Sequence, residues 1–216
     1  MSSSRLEHYK TIQPAEAQKL QLQLRKQILL KSLNEFPGLV GGADISFNRG
    51  SNLMHAAIVV LSLPDMKPVA RSLVSDETPF PYIPGLLAFR EMPSLMKAWQ
   101  QLKMKPGVLI LDGHGIAHPR RMGIATHFGI EVDHPTMGCA KNVLTGSYGE
   151  LGEEKGATAD LIYEGERVGM ALRSRSRVNP VFISPGHKIS FDDTYEVIMQ
   201  CLDRYKLPET TRSSHK

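Results

Sequence analysis

The sequence of 216 residues predicts an α/β fold in which one mixed sheet carries helices on both faces. Three strand-like segments joined by short turns fill residues 39–75 and predict an antiparallel meander. The apolar run at residues 108–111 ends in Asp112 and predicts a strand that is buried on both faces. Around and after this strand, helical and strand-like segments alternate, which is typical of parallel strands joined by helices.

The first half of the chain supplies one helix and the meander. Apolar residues at helical spacing follow Pro14 and predict an amphipathic helix over residues 14–35, which ends before Pro37. The meander strands are predicted at residues 39–47, 53–63 and 68–75, with turns at 48–52 and 64–65.

The second half begins with a loop, residues 78–85, whose three prolines favour a stiff and extended path. A helix is predicted from this loop to about residue 103, before the strand at 108–112. Beyond that strand the pattern predicts a helix at 120–128, a short strand at 130–133, a short helix at 138–144, a surface loop at 150–160, a hairpin of 166–177 with 180–184, and a helix at 191–205.

This order of elements fits the ribonuclease H-like arrangement. In that arrangement the first strand of the meander lies beside the fourth strand of the chain, so Asp44 is expected next to Asp112. We expect residues 1–216 to form a single domain, because the length suits one full hydrophobic core.

The composition favours an intracellular protein with a polyanionic partner. Lys and Arg exceed Asp and Glu by 26 to 22, and the resulting isoelectric point of about 9.1 suits nucleic acid. The two cysteines match no zinc-binding spacing, which is consistent with a reducing compartment. Apolar stretches are too short for a secretory signal or a membrane span. We therefore expect a cytoplasmic monomer with no membrane partner.

Three acidic residues are candidates for one metal site. Asp112 lies at the mouth of a buried strand, where a carboxylate is costly unless a cation or donors offset its charge; alternatively, it only caps the turn. Glu91 falls within the apolar stripe of its helix and is expected to face the core or a cleft. With Asp44 at the same sheet end, the three carboxylates would repel one another, and Mg²⁺ or Mn²⁺ would relieve that repulsion.

Basic residues near these acids favour a phosphodiester as the substrate of metal-dependent hydrolysis. His118, Arg120 and Arg121 open a predicted helix just after Asp112, and a helix N-terminus favours phosphate. Lys141 adds a positive charge in the next predicted helix. We predict that these residues contact the phosphates.

Five segments of the chain resemble the endonuclease V family of DNA repair nucleases, which act on deaminated bases and chiefly on deoxyinosine. They occur in the family's order and span nearly the whole chain. They are Val-Gly-Gly-Ala-Asp-Ile-Ser-Phe (40–47), Pro-Tyr-Ile-Pro-Gly-Leu-Leu-Ala-Phe-Arg-Glu (81–91), Asp-Gly-His-Gly-Ile-Ala-His-Pro-Arg-Arg (112–121), Gly-Cys-Ala-Lys (138–141) and Leu-Pro-Glu-Thr-Thr-Arg (207–212).

The resemblance implies the ribonuclease H-like fold and a Mg²⁺-dependent activity, with Mn²⁺ as a substitute. It implies hydrolysis of the second phosphodiester 3′ to the lesion, which leaves a 3′-hydroxyl and a 5′-phosphate. Asp44, Asp112 and Glu91 would hold the metal, and Lys141 would steady the scissile phosphate. His215 stands at a further ligand position, although Thr-Thr-Arg replaces the Pro-Thr-Arg that many members carry before it.

The resemblance also implies a wedge and a base pocket. Pro81, Tyr82, Ile83 and Pro84 would enter the duplex where the altered base leaves the stack; a stiff loop loses little entropy there, and Tyr82 offers a stacking ring. The alternative for Tyr82 is a loop tyrosine packed on the core. The pocket would be largely backbone, which can accept hypoxanthine and refuse the amine of adenine. Its residues would be Gly85, Leu87, Gly113 and Leu144.

Two alternatives to a nuclease for deoxyinosine-containing DNA stay open. One is cleavage of inosine-containing RNA, since the metal site does not contact the 2′-hydroxyl that separates the two nucleic acids. The other is a non-catalytic module that binds deaminated nucleic acid, against which the intact set of acids and Lys141 argues.

Overall fold

Eight strands form one mixed sheet in the computed structural model, which describes residues 3–47 and 51–202. The strands are β1 (Leu39–Phe47), β2 (Leu53–Ser62), β3 (Lys67–Glu77), β4 (Val108–Asp112), β5 (Thr136–Ala140), β6 (Thr158–Tyr163), β7 (Glu166–Leu172) and β8 (Val181–His187). The helices are α1 (Ser3–Thr11), α2 (Pro14–Leu24), α3 (Leu87–Gln101), α4 (Ile124–Val132) and α5 (Phe191–Gln200). Across the sheet the order is β3-β2-β1-β4-β5-β8-β7-β6.

The predicted meander and its place beside the buried strand are confirmed. β1 pairs antiparallel with β2, and β2 pairs antiparallel with β3. β1 also pairs in parallel with β4, which pairs in parallel with β5. β7 and β8 form the predicted late antiparallel pair. A meander followed by parallel strands is the predicted ribonuclease H-like order.

Three short segments after β4 differ from the prediction. Residues 130–132 of the predicted strand belong to α4 instead, and Asp133 caps the end of this helix in the left-handed conformation (φ 52°). The predicted helix at 138–144 begins inside β5, whose residues are all buried between β4 and β8. Pairing on both sides therefore overrides local preference. The predicted loop at 150–160 ends in β6, which pairs with β7.

The helices also differ in extent from the prediction. α2 ends at Leu24 and is followed by a 3-10 turn, so the predicted helix over 14–35 is too long, and α1 was not predicted. α3 begins at Leu87 and accommodates Pro93. Ser190 is the N-cap of α5, and its side-chain oxygen accepts from the Asp193 amide at 3.1 Å. The end predicted for this helix at residue 205 lies outside the described residues.

Both faces of the sheet bury apolar side chains. Side chains of α1, α3 and α4 pack against one face, around Phe89, Leu95 and Phe128. α5 packs against the other face through Val197 and Ile198. Within residues 3–47 and 51–202, no helix is both long and apolar enough to cross a bilayer. The central strands β1 and β4 are thus fixed from both sides, which holds the residues at their ends in place.

Candidate functional site

The two candidate aspartates stand side by side, Asp44 in the second half of β1 and Asp112 at the end of β4. Ala43 pairs with Leu111 in the parallel register, so Asp44 and Asp112 each follow the same paired position. Neighbouring strands lie about 4.8 Å apart, which places the two residues within reach of one ion. Asp44 is buried, with 7% of its surface exposed. The adjacency predicted from the element order is confirmed.

Glu91 joins the aspartates from α3. Burial, together with the smaller effect of the negative charges of Asp44 and Asp112, raises the pKa of the Glu91 carboxyl to about 8, against the opposing effect of the Arg90 guanidinium. The prediction that Glu91 points away from solvent is confirmed, since it is only 6% exposed. The three carboxyl groups therefore share one electrostatic environment.

A divalent cation fits this environment in charge and in donor type. The three carboxyl groups repel one another when all are ionised, which contributes to the raised pKa of Glu91, and their oxygens are the ligands that Mg²⁺ and Mn²⁺ prefer. Within the described ranges, no three His, Cys, Asp or Glu side chains form a ready-made cage. Lys141 lies at the edge of the acids, with its Nζ 3.0 Å from Asp112 Oδ2. The predicted ligand His215 lies outside the described residues.

A cavity of about 180 Å³ opens beside the acids. Glu91 and Asp112 lie in its wall, together with all four residues predicted for the base pocket. Two of the four wedge residues, Tyr82 and Pro84, also line it. Residues that sequence reasoning had not placed there complete the wall: Ala88, His114, His118, Met122, Gly123 and Ile124.

The predicted wedge loop is held in place by Arg90 and exposes the side chain of Tyr82. Arg90 donates through Nη1 to the Phe80 carbonyl at 2.7 Å and through Nη2 to the Ser51 carbonyl at 2.6 Å. Tyr82 remains 64% exposed, which is inconsistent with the alternative of a tyrosine packed on the core. The loop therefore presents an aromatic ring at the rim of the cavity.

The three basic residues predicted to contact phosphate are engaged inside the chain. α4 begins at Ile124, so Arg120 and Arg121 precede it and do not form its first turn. The Arg121 side chain is only 6% exposed, and its Nη2 lies 2.7 Å from Glu166 Oε2. The prediction of a phosphate contact does not fit Arg121, because the sequence gives the charge of a side chain but not its direction.

His118 and Arg120 point instead toward the loop that follows the wedge. His118 Nε2 lies 3.1 Å from the Gly85 carbonyl, and Arg120 Nη2 donates to the same oxygen at 2.8 Å. Burial is the main reason that the pKa of His118 falls to about 4. His118 is therefore neutral at physiological pH and lines the cavity without a charge.

Gln21 joins His118 and Arg120 at the Gly85 carbonyl, and the sequence analysis did not identify it. Its side chain is fully buried on α2 and contacts Gly85, Arg120 and Met122. A signal was present, since Gln21 lies four residues after Ala17 and three before Leu24, on the buried stripe of the helix. A polar residue on such a stripe indicates buried partners.

Comparisons with known proteins agree with this geometry. The sequence profile of the endonuclease V family matches residues 22–216. The endonuclease V of Gloeobacter violaceus is 47% identical over 216 residues, which cover 99% of this chain and 88% of that protein.

Solved structures agree as well. The endonuclease V of Streptomyces avermitilis has a TM-score of 0.91 at 38% identity, covering 95% of this chain and 91% of that one. The endonuclease V of Ciona intestinalis, solved with a 24-mer DNA that contains an inosine followed by a ribo-adenosine, has a TM-score of 0.80 at 28% identity, covering 93% and 94%. The match to the family profile, the 47% identity over nearly the full length and the shared ribonuclease H-like fold show that the chain belongs to the endonuclease V family.

Proposed function

We propose that the protein is a Mg²⁺-dependent endonuclease that recognises deaminated bases in DNA, chiefly deoxyinosine, and hydrolyses the second phosphodiester bond 3′ to the lesion. One observation carries the proposal: a single cavity is lined by the exposed wedge tyrosine, by the four pocket residues and by the acids Glu91 and Asp112. A related protein, that of Ciona intestinalis, was solved with inosine-containing DNA, which supports this choice of ligand.

Each part of the site has a distinct task in this proposal. Tyr82 stacks on the bases that the extruded nucleotide leaves behind, and the cavity receives the extruded base. Lys141, beside Asp112, reaches the scissile phosphate and offsets its charge. The nick carries a 3′-hydroxyl and a 5′-phosphate.

Asp44, Glu91 and Asp112 would hold the divalent ion, with His215 as a further candidate ligand. When bound, Mg²⁺ supplies Lewis-acid polarisation of the phosphate, and Mn²⁺ can replace it. These carboxyl groups would hold the ion beside the cavity that would receive the base, so that the recognised base and the bond to be broken lie close together.

The test is a strand-nicking assay on a DNA duplex that contains one deoxyinosine. Asp112→Asn keeps the shape of the side chain and removes its charge, so we expect nicking at least about a hundredfold slower while the DNA still binds. Asp65→Asn, at a side chain that is 63% exposed, is the matched control and should nick at the wild-type rate. EDTA should stop nicking, and added Mg²⁺ or Mn²⁺ should restore it.

Two outcomes of this assay contradict parts of the proposal. If Asp112→Asn nicks at the wild-type rate, the assignment of the acids is wrong. If the wild-type protein binds inosine-containing DNA and RNA but nicks neither in Mg²⁺ or Mn²⁺, the protein is a non-catalytic binder.

A second candidate function is cleavage of inosine-containing RNA. The Ciona intestinalis ligand favours it, because the inosine in that DNA is followed by a ribo-adenosine. Discrimination between the two substrates depends on contacts to a 2′-hydroxyl. Matched DNA and RNA strands with one inosine each decide between them, since the preferred substrate has the higher kcat/KM.

We also propose that the protein works as a cytoplasmic monomer of one domain, residues 1–216. Its basic isoelectric point, near 9.1, suits direct association with nucleic acid. The continuous sheet that both halves of the chain share supports one folding unit.

A further inference from the structure

The turn that follows Asp112 is bound to β8 through two consecutive backbone groups. The Gly115 N–H donates to Ser184 Oγ at 2.8 Å. The Ile116 N–H donates to the Pro185 carbonyl, also at 2.8 Å. The first of these hydrogen bonds is buried, and the Ser184 side chain is fully shielded from solvent. Water is therefore excluded from this contact.

A glycine of β5, the strand between β4 and β8, makes room for this contact. Gly138 pairs with Leu111 of β4 on one side and with Ser184 of β8 on the other. A Cβ built on Gly138 would lie only 2.5 Å from both the Gly113 carbonyl oxygen and the Gly115 nitrogen. Side chains of directly paired residues point to the same face of a sheet. The turn therefore crosses over Gly138 to reach the Ser184 hydroxyl.

The hydrogen bonding between β4 and β5 is longer where the turn begins. The Gly113 N–H donates to the Cys139 carbonyl at 3.3 Å, just beyond the usual range for such a bond. The hydrogen bond to Ser184, at 2.8 Å, lies well inside that range. The main chain that carries Asp112 is therefore fixed by β5 on one side of the turn and by β8 on the other.

The same turn forms part of the cavity wall. Gly113 and His114 line the cavity beside Asp112. The carbonyl oxygens of residues 114 and 115 accept from backbone N–H groups around the start of α4, both at 3.0 Å. Of these partners of the turn, only Ser184 Oγ belongs to a side chain, so a single substitution removes it.

We propose that Ser184 is a positioning residue for the metal-dependent reaction: its hydroxyl oxygen holds the turn at 113–115 against β8 and thereby sets the direction of the Asp112 carboxylate. The inference rests on the proposed function, in which Asp112 is a ligand of the divalent ion. Ser184 is fully buried and lies two strands away from β4, so it acts through Gly115 and not by contact with the DNA.

Ser184→Ala removes one oxygen atom and keeps the Cβ. The Gly115 N–H is then buried without this acceptor, which is costly, so the turn shifts to find another partner. Replacing a residue that orients a metal ligand changes metal affinity or activity by about 10–100-fold. We therefore expect Ser184→Ala to weaken Mn²⁺ binding and to lower kcat, each by about tenfold or more.

The test measures Mn²⁺ binding by electron paramagnetic resonance, with and without a nicked deoxyinosine duplex that no longer reacts. Nicking of the intact duplex in Mn²⁺ gives kcat. Thr194→Val is the matched control, because Thr194 is also fully buried and its hydroxyl donates to the Ser190 carbonyl at 2.7 Å. Thr194 lies on α5, at the opposite face of the sheet from the turn. This control should lower the free energy of unfolding and keep the wild-type Mn²⁺ affinity and kcat.

Ser184→Cys is the second variant, used if Ser184→Ala does not fold. A thiol has nearly the shape of a hydroxyl but is a weak acceptor, so Mn²⁺ affinity and kcat should change in the same direction and by less. Far-UV circular dichroism shows whether each variant is folded.

The Mn²⁺ affinity decides between the outcomes. If Ser184→Ala is less stable but binds Mn²⁺ as tightly as wild type, Ser184 has a purely structural role and the positioning proposal is wrong, while the proposed function stands. If wild type binds Mn²⁺ but nicks no inosine-containing DNA or RNA, the proposed function is wrong, and weaker Mn²⁺ binding by Ser184→Ala still supports the effect on Asp112. If wild type binds no Mn²⁺ with or without the nicked duplex, the acids hold no ion and both proposals fall.

Discussion

Tyr82 combines an exposed aromatic ring with a place in the cavity wall. Truncation to alanine should weaken binding of deoxyinosine-containing DNA by about 1–3 kcal/mol, because stacking of one base on an aromatic ring contributes that much. Fluorescence anisotropy titrations measure the change. Leu73→Ala, at a side chain 73% exposed on β3, is the control and should leave affinity unchanged. Equal affinities for wild type and Tyr82→Ala would make Tyr82 an ordinary loop residue.

At the scale of single residues, the sequence predicted whether a side chain is buried better than it predicted which way the side chain points. Glu91 could be found because a carboxylate interrupts an apolar stripe, and the structure buries it near both aspartates. Gln21 interrupts a stripe in the same way, but an uncharged amide is a weaker signal. The direction of Arg121 toward Glu166 depends on β7, which lies 45 residues further along the chain. No local pattern contains that information.

At the scale of elements, Asp76 on β3 ties two helices to the sheet. Its carboxylate lies 3.0 Å from Lys10 Nζ of α1 and 2.9 Å from Lys97 Nζ of α3. Burial raises the pKa of Asp76, but the two lysines outweigh that effect and hold it below its ordinary value of 3.8. A depressed pKa in the folded state means that the carboxylate stabilises the fold above the unfolded pKa, and that this stabilisation is lost as pH falls through the folded pKa.

Asp76→Asn should therefore lower the free energy of unfolding by about 1.5–3 kcal/mol at pH 7, the range for hydrogen bonds to charged groups. The difference from wild type should shrink as pH falls below 3.8 and through the lowered pKa of Asp76 in the folded state, where the wild-type carboxylate becomes protonated. Urea unfolding across this pH range measures it. Asp65→Asn serves as the control, since its pair with Lys67 is exposed. A difference that stays constant with pH would contradict the ion-pair account.

Elements with a clear apolar pattern in the local sequence could be predicted, and elements without such a pattern could not. The three meander strands and the central strand have apolar patterns that local sequence defines, and the structure contains all four. β5 is only five residues long and contains Gly138, and its strand conformation depends on pairing with both β4 and β8. The ends of α2 and α4 likewise depend on packing that a local window does not include.

At the scale of the whole molecule, the eight-stranded sheet joins the two apolar cores. Trp99, the single tryptophan of the chain, lies on α3 and packs edge-on to Phe128 of α4 with ring centroids 5.6 Å apart. Ile198 of α5 belongs to the core on the opposite face. The central strands contribute side chains to both cores, through Leu109 to the first and Ile110 to the second. Loss of either core should therefore disrupt the strands on which the other depends.

We predict one cooperative unfolding transition, with coincident urea midpoints for Trp99 fluorescence and far-UV circular dichroism. Ile198→Ala removes buried methyl groups from the α5 core and should lower the free energy of unfolding by about 2–5 kcal/mol. Although Trp99 lies on the opposite face of the sheet, the urea midpoint of its fluorescence transition in Ile198→Ala should fall by the same amount as the circular dichroism midpoint. If Ile198→Ala shifts the circular dichroism and leaves the Trp99 transition in place, the two faces unfold separately. Strands β1 and β4, which carry the candidate aspartates, would then lie at a boundary between two units and not inside one.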